Sequence, residues 1–135
     1  MLRFAMEKLQ AWKEKKDRKP LIIMGARQVG KTWLMKEFGT TCYEKVAYIS
    51  FYNNKRMDDV FQVDFDIQRI IMNLNIESGV TITPGDTLII LDEIQDTPKV
   101  LESLKYFCEE APEYHVIAAG SLLGVAIHEG VSYPV

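Results

Sequence analysis

The stretch LIIMGARQVGKT, residues 21–32, decides the fold. Leu21 to Met24 follow Pro20, are rich in branched side chains and stop at Gly25, so they predict a short strand buried on both faces. Gly25, Gly30, Lys31 and Thr32 then satisfy the spacing G-x-x-x-x-G-K-[ST]. Each part of that spacing has a chemical reason. Glycines let the backbone turn so that successive N–H groups converge on phosphate oxygens. A helix beginning near Gly30 adds its unpaired N–H groups and the positive end of its dipole. Lys31 offers a point charge to the β- and γ-phosphates, and Thr32 offers a hydroxyl oxygen to Mg²⁺. The candidate nucleotide-contacting set is Gly25, Ala26, Arg27, Gln28, Val29, Gly30, Lys31, Thr32 and Trp33. Within it, Arg27 and Gln28 can either reach a phosphate or face solvent.

Working outward, Leu2, Phe4 or Ala5, Met6, Leu9 and Trp12 recur at helical spacing and predict an amphipathic helix over 2–14. The basic run KEKKDRK after it reads as a solvated helix end, with a local phosphate contact as the alternative. Residues 30–39 predict a helix with Trp33, Leu34 and Phe38 available for packing. VAYISF (46–51) predicts a second strand, and YNNKRMDDVFQVDFD (52–66) reads as irregular with a short helical turn at 57–61. Ile67, Ile70, Ile71 and Leu74 share one face of a helix over 66–78. TPGD (83–86) is a turn and TLIILD (87–92) a third strand without polar alternation. Residues 97–111 predict a helix capped by Thr97, with Val100, Leu101, Leu104, Phe107 and Cys108 inward. YHVIAAGS (114–121) is a fourth strand, and 122–128 a short helix. Alternating strands and helices imply an α/β, three-layer sandwich around a mainly parallel sheet.

A second site element lies at 92–93. Asp92 stands at the carboxyl end of a buried strand, where α/β sheets place ligands, and is suited to hold a metal-bound water. Glu93 follows it, placed to accept a proton from an attacking water. No guanine-reading N-K-x-D occurs, which points away from a GTPase. In enzymes with such an Asp-Glu pair, a further strand lies between the phosphate-loop strand and the acidic strand. Ser121 ends the fourth strand and is the candidate γ-phosphate sensor, or alternatively a helix cap. His115 and His128 have no second ligand at metal spacing and read as structural or exposed.

The chain has 135 residues, 47% of them apolar and 26% charged, which suits one globular domain. A net charge of −3 gives no electrostatic case for nucleic acid or an acidic membrane as an obligatory partner. No apolar run approaches the roughly 18 residues of a membrane-spanning helix. The N-terminus lacks a signal-type apolar core. Cys42 and Cys108 form neither a metal-spaced pair nor a disulfide framework, so a reduced, cytoplasmic setting is the expectation.

Three segments, KPLIIMGARQVGKTWLMKEFG, TLIILDEIQDTPKVLESLKYFCE and HVIAAGSLLGVAIH, resemble the prokaryotic AAA-type ATPases that carry a C-terminal domain of unknown function. The resemblance spans nearly the whole chain. It implies a P-loop NTPase fold of the Asp-Glu class with ATP and Mg²⁺ as ligands. Gly25 to Thr32 would bind phosphates and Mg²⁺, Asp92 and Glu93 would form the second acidic motif, and Ser121 would be the sensor-like residue. Members of that family are longer. The expectation is therefore that residues 1–135 are the N-terminal part of the ATPase domain, with a nucleotide-binding core over 19–135. The last strand, any arginine finger and the C-terminal domain would lie beyond. Such a fragment would bind nucleotide but turn over slowly, and an exposed sheet edge beside LIIMG could drive self-association. Mg²⁺-dependent ATP hydrolysis is the leading reading, with Glu93, Lys31 and Ser121 catalytic and Thr32 and Asp92 at the metal. A nucleotide-gated interaction module is the alternative. A DNA-associated motor is a third, with any nucleic-acid contact confined to the absent C-terminal region.

Overall fold

A computed structural model describes residues 2–25 and 30–121. Its elements in chain order are α1 (Leu2–Lys13), β1 (Leu21–Gly25), α2 (Lys31–Cys42), β2 (Lys45–Ser50), α3 (Lys55–Val63), α4 (Ile67–Ser78), β3 (Thr87–Asp92), α5 (Pro98–Glu110) and β4 (His115–Ser121). The four strands form one sheet in the order β1-β4-β3-β2, and every pairing is parallel. The α/β three-layer architecture read from the sequence is the one observed.

The layers follow from the two-residue period of the strands. Ala47, Ile49, Ile89, Leu91, Val116 and Ala118 turn to one face, where α3, α4 and α5 cover them with Met57, Phe61, Ile70, Leu74, Leu104 and Phe107. Leu21, Leu88, Ile90, Ile117 and Ala119 turn to the other, where α1 and α2 supply Leu9, Trp12, Met35 and Phe38. With helices on both faces, β3 buries all six of its residues, which explains why TLIILD lacks alternation. β4 enters between β1 and β3, so among the described residues β1 has a strand neighbour on one side only.

Helix boundaries depart from the sequence reading in informative ways. The expected turn at 57–61 is a helix of nine residues, α3. Asn54 caps it by accepting from the Met57 N–H, and Met57, Val60 and Phe61 bury its inner stripe. α2 runs past Gly39 to Cys42 because Gly39 is a packing position and not a terminator. A Cβ there would stand 2.5 Å from Val46 Cγ2 and 3.1 Å from Leu88 Cδ2, so the missing side chain is what lets α2 lie close on β2 and β3. Trp33, expected to pack, is 54% exposed. Thr97 stands at the N-cap position of α5 but its hydroxyl makes no capping bond. Its carbonyl accepts from Val100 N–H instead, and Pro98 at the helix start has no N–H to satisfy. α4 has the clearer terminal signals, with Asp66 accepting from Gln68 and Arg69 N–H and Gly79 in the left-handed region at its end. The expected helix over 122–128 and His128 lie outside the described residues.

Beneath α1 the second core is knitted by polar bonds. Trp12 Nε1 donates to the Lys19 carbonyl at 2.7 Å, and Arg18 donates to the carbonyls of Lys13 and Pro112. The Tyr43 hydroxyl and His115 Nδ1 share a hydrogen bond of 2.6 Å, with Trp12 edge-on to the His115 ring. His115 is thus a buried structural histidine. No helix among the described residues is long and apolar enough to cross a membrane.

Candidate functional site

The carboxyl ends of β1, β4 and β3 gather the candidate residues. Gly25 is in register with Ser121, so the start of the candidate phosphate loop and the end of β4 are side by side. Gly30 has φ of 105°, a conformation that costs a glycine little, and it leads directly into α2, with its carbonyl accepting from Leu34 N–H. A Cβ at Gly30 would meet nothing within 4 Å, so the backbone angle, and not crowding, is what calls for glycine. The first N–H groups of α2 have no helical acceptor and present an anion-binding end. Ala26, Arg27, Gln28 and Val29 lie outside the described residues, as does the side chain of Ser121.

Lys31 reaches back over the sheet: its Nζ donates to the Gly120 carbonyl at 2.8 Å, the last but one residue of β4. Thr32 Oγ1 donates to Asp92 Oδ2 at 2.8 Å, a bond across sixty positions of sequence. Asp92 is buried and its carboxylate is well supplied with donors. Oδ2 accepts also from the Tyr48 hydroxyl at 2.7 Å, and Oδ1 from the Glu93 N–H at 2.9 Å. Burial first, then the hydrogen bond to Asp92 and its charge, push the Tyr48 phenol well above its ordinary value.

Glu93 has φ of 58°, a left-handed backbone unusual for a residue with a Cβ. The surroundings impose it. Asp92 Oδ1 fixes the Glu93 N–H, and the Ala119 carbonyl fixes the next one, on Ile94, at 3.1 Å. The chain therefore leaves β3 sharply toward β4, with Glu93 at the bend. Gln95 Nε2 donates to Glu93 Oε1 at 2.9 Å. Trp33 lies in the first turn of α2, largely in solvent.

Sequence reasoning named Lys31, Thr32, Asp92 and Glu93, and two of these, Thr32 and Asp92, are in direct contact. It missed Tyr48 and Gln95. Gln95 could have been found, being two residues from Glu93. Tyr48 could not, because its link to Asp92 depends on the pairing of β2 with β3. No group of three or more His, Cys, Asp or Glu at metal-binding geometry occurs among the described residues. A divalent cation here would have Thr32 and Asp92 as its protein partners, which fits a hard cation that keeps waters and takes phosphate oxygens. A cavity of about 210 Å³ lies elsewhere, along Lys8, Ala11, Trp12 and Lys15, and shares no residue with the site.

No curated protein matches the chain. A family model described as an AAA domain matches residues 17–134, the greater part of the sequence. Such a match suggests a nucleotide-binding, ATPase-like function, in keeping with the parallel sheet and the strand order. By that match the chain belongs to the AAA-domain family.

Proposed function

We propose that this chain binds ATP with Mg²⁺ and hydrolyses it. The observation that carries the reading is the Thr32–Asp92 hydrogen bond of 2.8 Å, which joins the loop after β1 to the acidic end of β3. A threonine that donates its proton to a buried carboxylate keeps its oxygen lone pairs for a cation. Mg²⁺ bound there would neutralise charge on the phosphate oxygens. Lys31 supports phosphate binding: its ammonium donates to the Gly120 carbonyl near the end of β4, a contact easily exchanged for a phosphate oxygen. Gly30 and the start of α2 add backbone N–H donors. Glu93 is the candidate base, its carboxylate oriented by the Gln95 amide and its backbone held by Asp92 and Ala119. Ser121, in register with Gly25, is the candidate γ-phosphate sensor.

Two variants test the reading. Lys31→Ala should weaken ATP and ADP binding at least about tenfold, since it removes a charge-assisted bond. Glu93→Gln should bind ATP as the wild type does yet lose about 10²-fold or more in single-turnover hydrolysis, the usual contribution of a general base. Wild-type protein that binds no nucleotide at millimolar Mg²⁺ would overturn the proposal. Equal turnover by Glu93→Gln would leave nucleotide binding but remove hydrolysis as the function, favouring an ATP-gated interaction module.

A further inference from the structure

Tyr48 belongs to none of the motifs, yet it touches the centre of the site. Tyr48 pairs with Ile90 and Ser50 pairs with Asp92, so residues 48, 50, 90 and 92 share one face of the sheet. From two positions back, the Tyr48 side chain leans along the strand and delivers its hydroxyl to Asp92 Oδ2 at 2.7 Å. That oxygen is the one Thr32 Oγ1 donates to at 2.8 Å. The ring is held by the same helix that carries Thr32: Lys36 Nζ lies 4.1 Å from the Tyr48 ring centroid, and Lys36 follows Thr32 by four residues on one helical face. Tyr48 is only half-buried. A tyrosine at that depth can satisfy its hydroxyl with water, so burial alone does not send it to the carboxylate.

We propose that Tyr48 is a positioning residue for the metal-holding pair: its hydroxyl fixes the Asp92 carboxylate in the orientation that accepts from Thr32, leaving the Thr32 oxygen free for a divalent cation bound with nucleotide. The inference rests on the reading of Thr32 and Asp92 as metal residues. With Phe at position 48, Oδ2 loses one of its two donors and Asp92 gains rotational freedom, while Lys31 and the start of α2 keep their bonds.

The test is the Mg²⁺ dependence of ADP binding to the full chain, wild type against Tyr48→Phe. Affinity in EDTA should agree within about twofold, because phosphate contacts are intact. The Mg²⁺ concentration giving half of the metal-dependent gain should rise about tenfold or more in the variant, the lower end for a lost hydrogen bond to a charged group. An unchanged Mg²⁺ midpoint overturns the inference, as does an equal loss of affinity with and without metal, which marks a merely structural role. Wild-type protein that fails to bind ADP overturns the underlying reading as well, so the two failures are distinguishable. Should Tyr48→Phe not fold, 3-fluorotyrosine at position 48 keeps the hydroxyl. Its ¹⁹F resonance should move when Mg²⁺ is added to ADP-saturated protein, and a resonance unmoved by the metal overturns the inference.

Discussion

His115 opens β4 with its ring enclosed by Trp12 and Tyr43, and with the cationic Arg18 and Lys13 nearby. Burial, then the positive charges of Arg18 and Lys13, lower its pKa from 6.5 to about 4. The unfolded chain takes up a proton as pH falls through 6.5, whereas the folded chain resists until about 4. The neutral ring's contribution is therefore complete above 6.5, is lost progressively between 6.5 and 4, and amounts to about 3 kcal/mol over that window. Unfolding free energies of wild type and His115→Gln from urea titrations, compared at about pH 7 and about pH 4.5, check this: the variant's fall should be smaller by about 2 kcal/mol, the part of the loss complete by pH 4.5. At this scale the sequence was most informative where chemistry is local. Gly25 to Thr32 and the Asp92–Glu93 pair are read from adjacent residues. Tyr48 is invisible in the same text, since nothing in VAYISF says which strand lies beside it.

Among the elements, α2 shows how far local preference yields to packing. A glycine in a helix interior is unfavourable by up to about 1 kcal/mol relative to alanine, and on propensity alone Gly39 would end the helix or profit from replacement. The sheet decides otherwise, for the space a side chain would take is filled by Val46 and Leu88. Gly39→Val should lower stability by about 1–3 kcal/mol, the range for overpacked sites, measurable as a drop in denaturant midpoint at constant slope. A variant as stable as the wild type would show that α2 can lift from the sheet without loss. α3 was legible in principle: Asn54, Met57, Val60 and Phe61 form a cap followed by an i, i+3, i+4 stripe. The surrounding charges of KRMDD hid it. α5 is the converse case, where the boundary was right and the capping atom was not, because the Thr97 carbonyl and not its hydroxyl closes the turn.

Across the whole molecule, α2, the helix after β1, covers one face of the sheet, and α5, the helix after β3, covers the other. Connections that diverge in this way open a crevice at the carboxyl ends of the strands, the usual ligand position in open α/β sheets. Lys31, Thr32, Asp92 and Glu93 all stand there, contributed by segments that meet only in the folded chain. A ligand bridging them should stabilise the entire domain. Mg²⁺ with ADP at about 100 times its Kd should add about 2.7 kcal/mol, or roughly 10 °C in thermal midpoint for a chain of this size. Lys31→Ala should cut the shift to about half or less at the same ADP concentration, and an undiminished shift in that variant would place the nucleotide elsewhere. The layer order was legible because strictly apolar strands between amphipathic helices admit few arrangements. Of the neighbour relations within the sheet, the strand expected between the phosphate-loop strand and the acidic strand is observed as β4, whereas the place of β2 beside β3 was not legible, since parallel strands of similar composition carry no mark of their order.

The uneven cover over α2 has an optical consequence. The chain has two tryptophans. Trp12 is 2% exposed within the packed layer, and Trp33 is 54% exposed one residue beyond Thr32. An aqueous quencher therefore addresses one indole and spares the other, so the protein carries a fluorescent reporter beside its candidate phosphate site and an internal reference away from it.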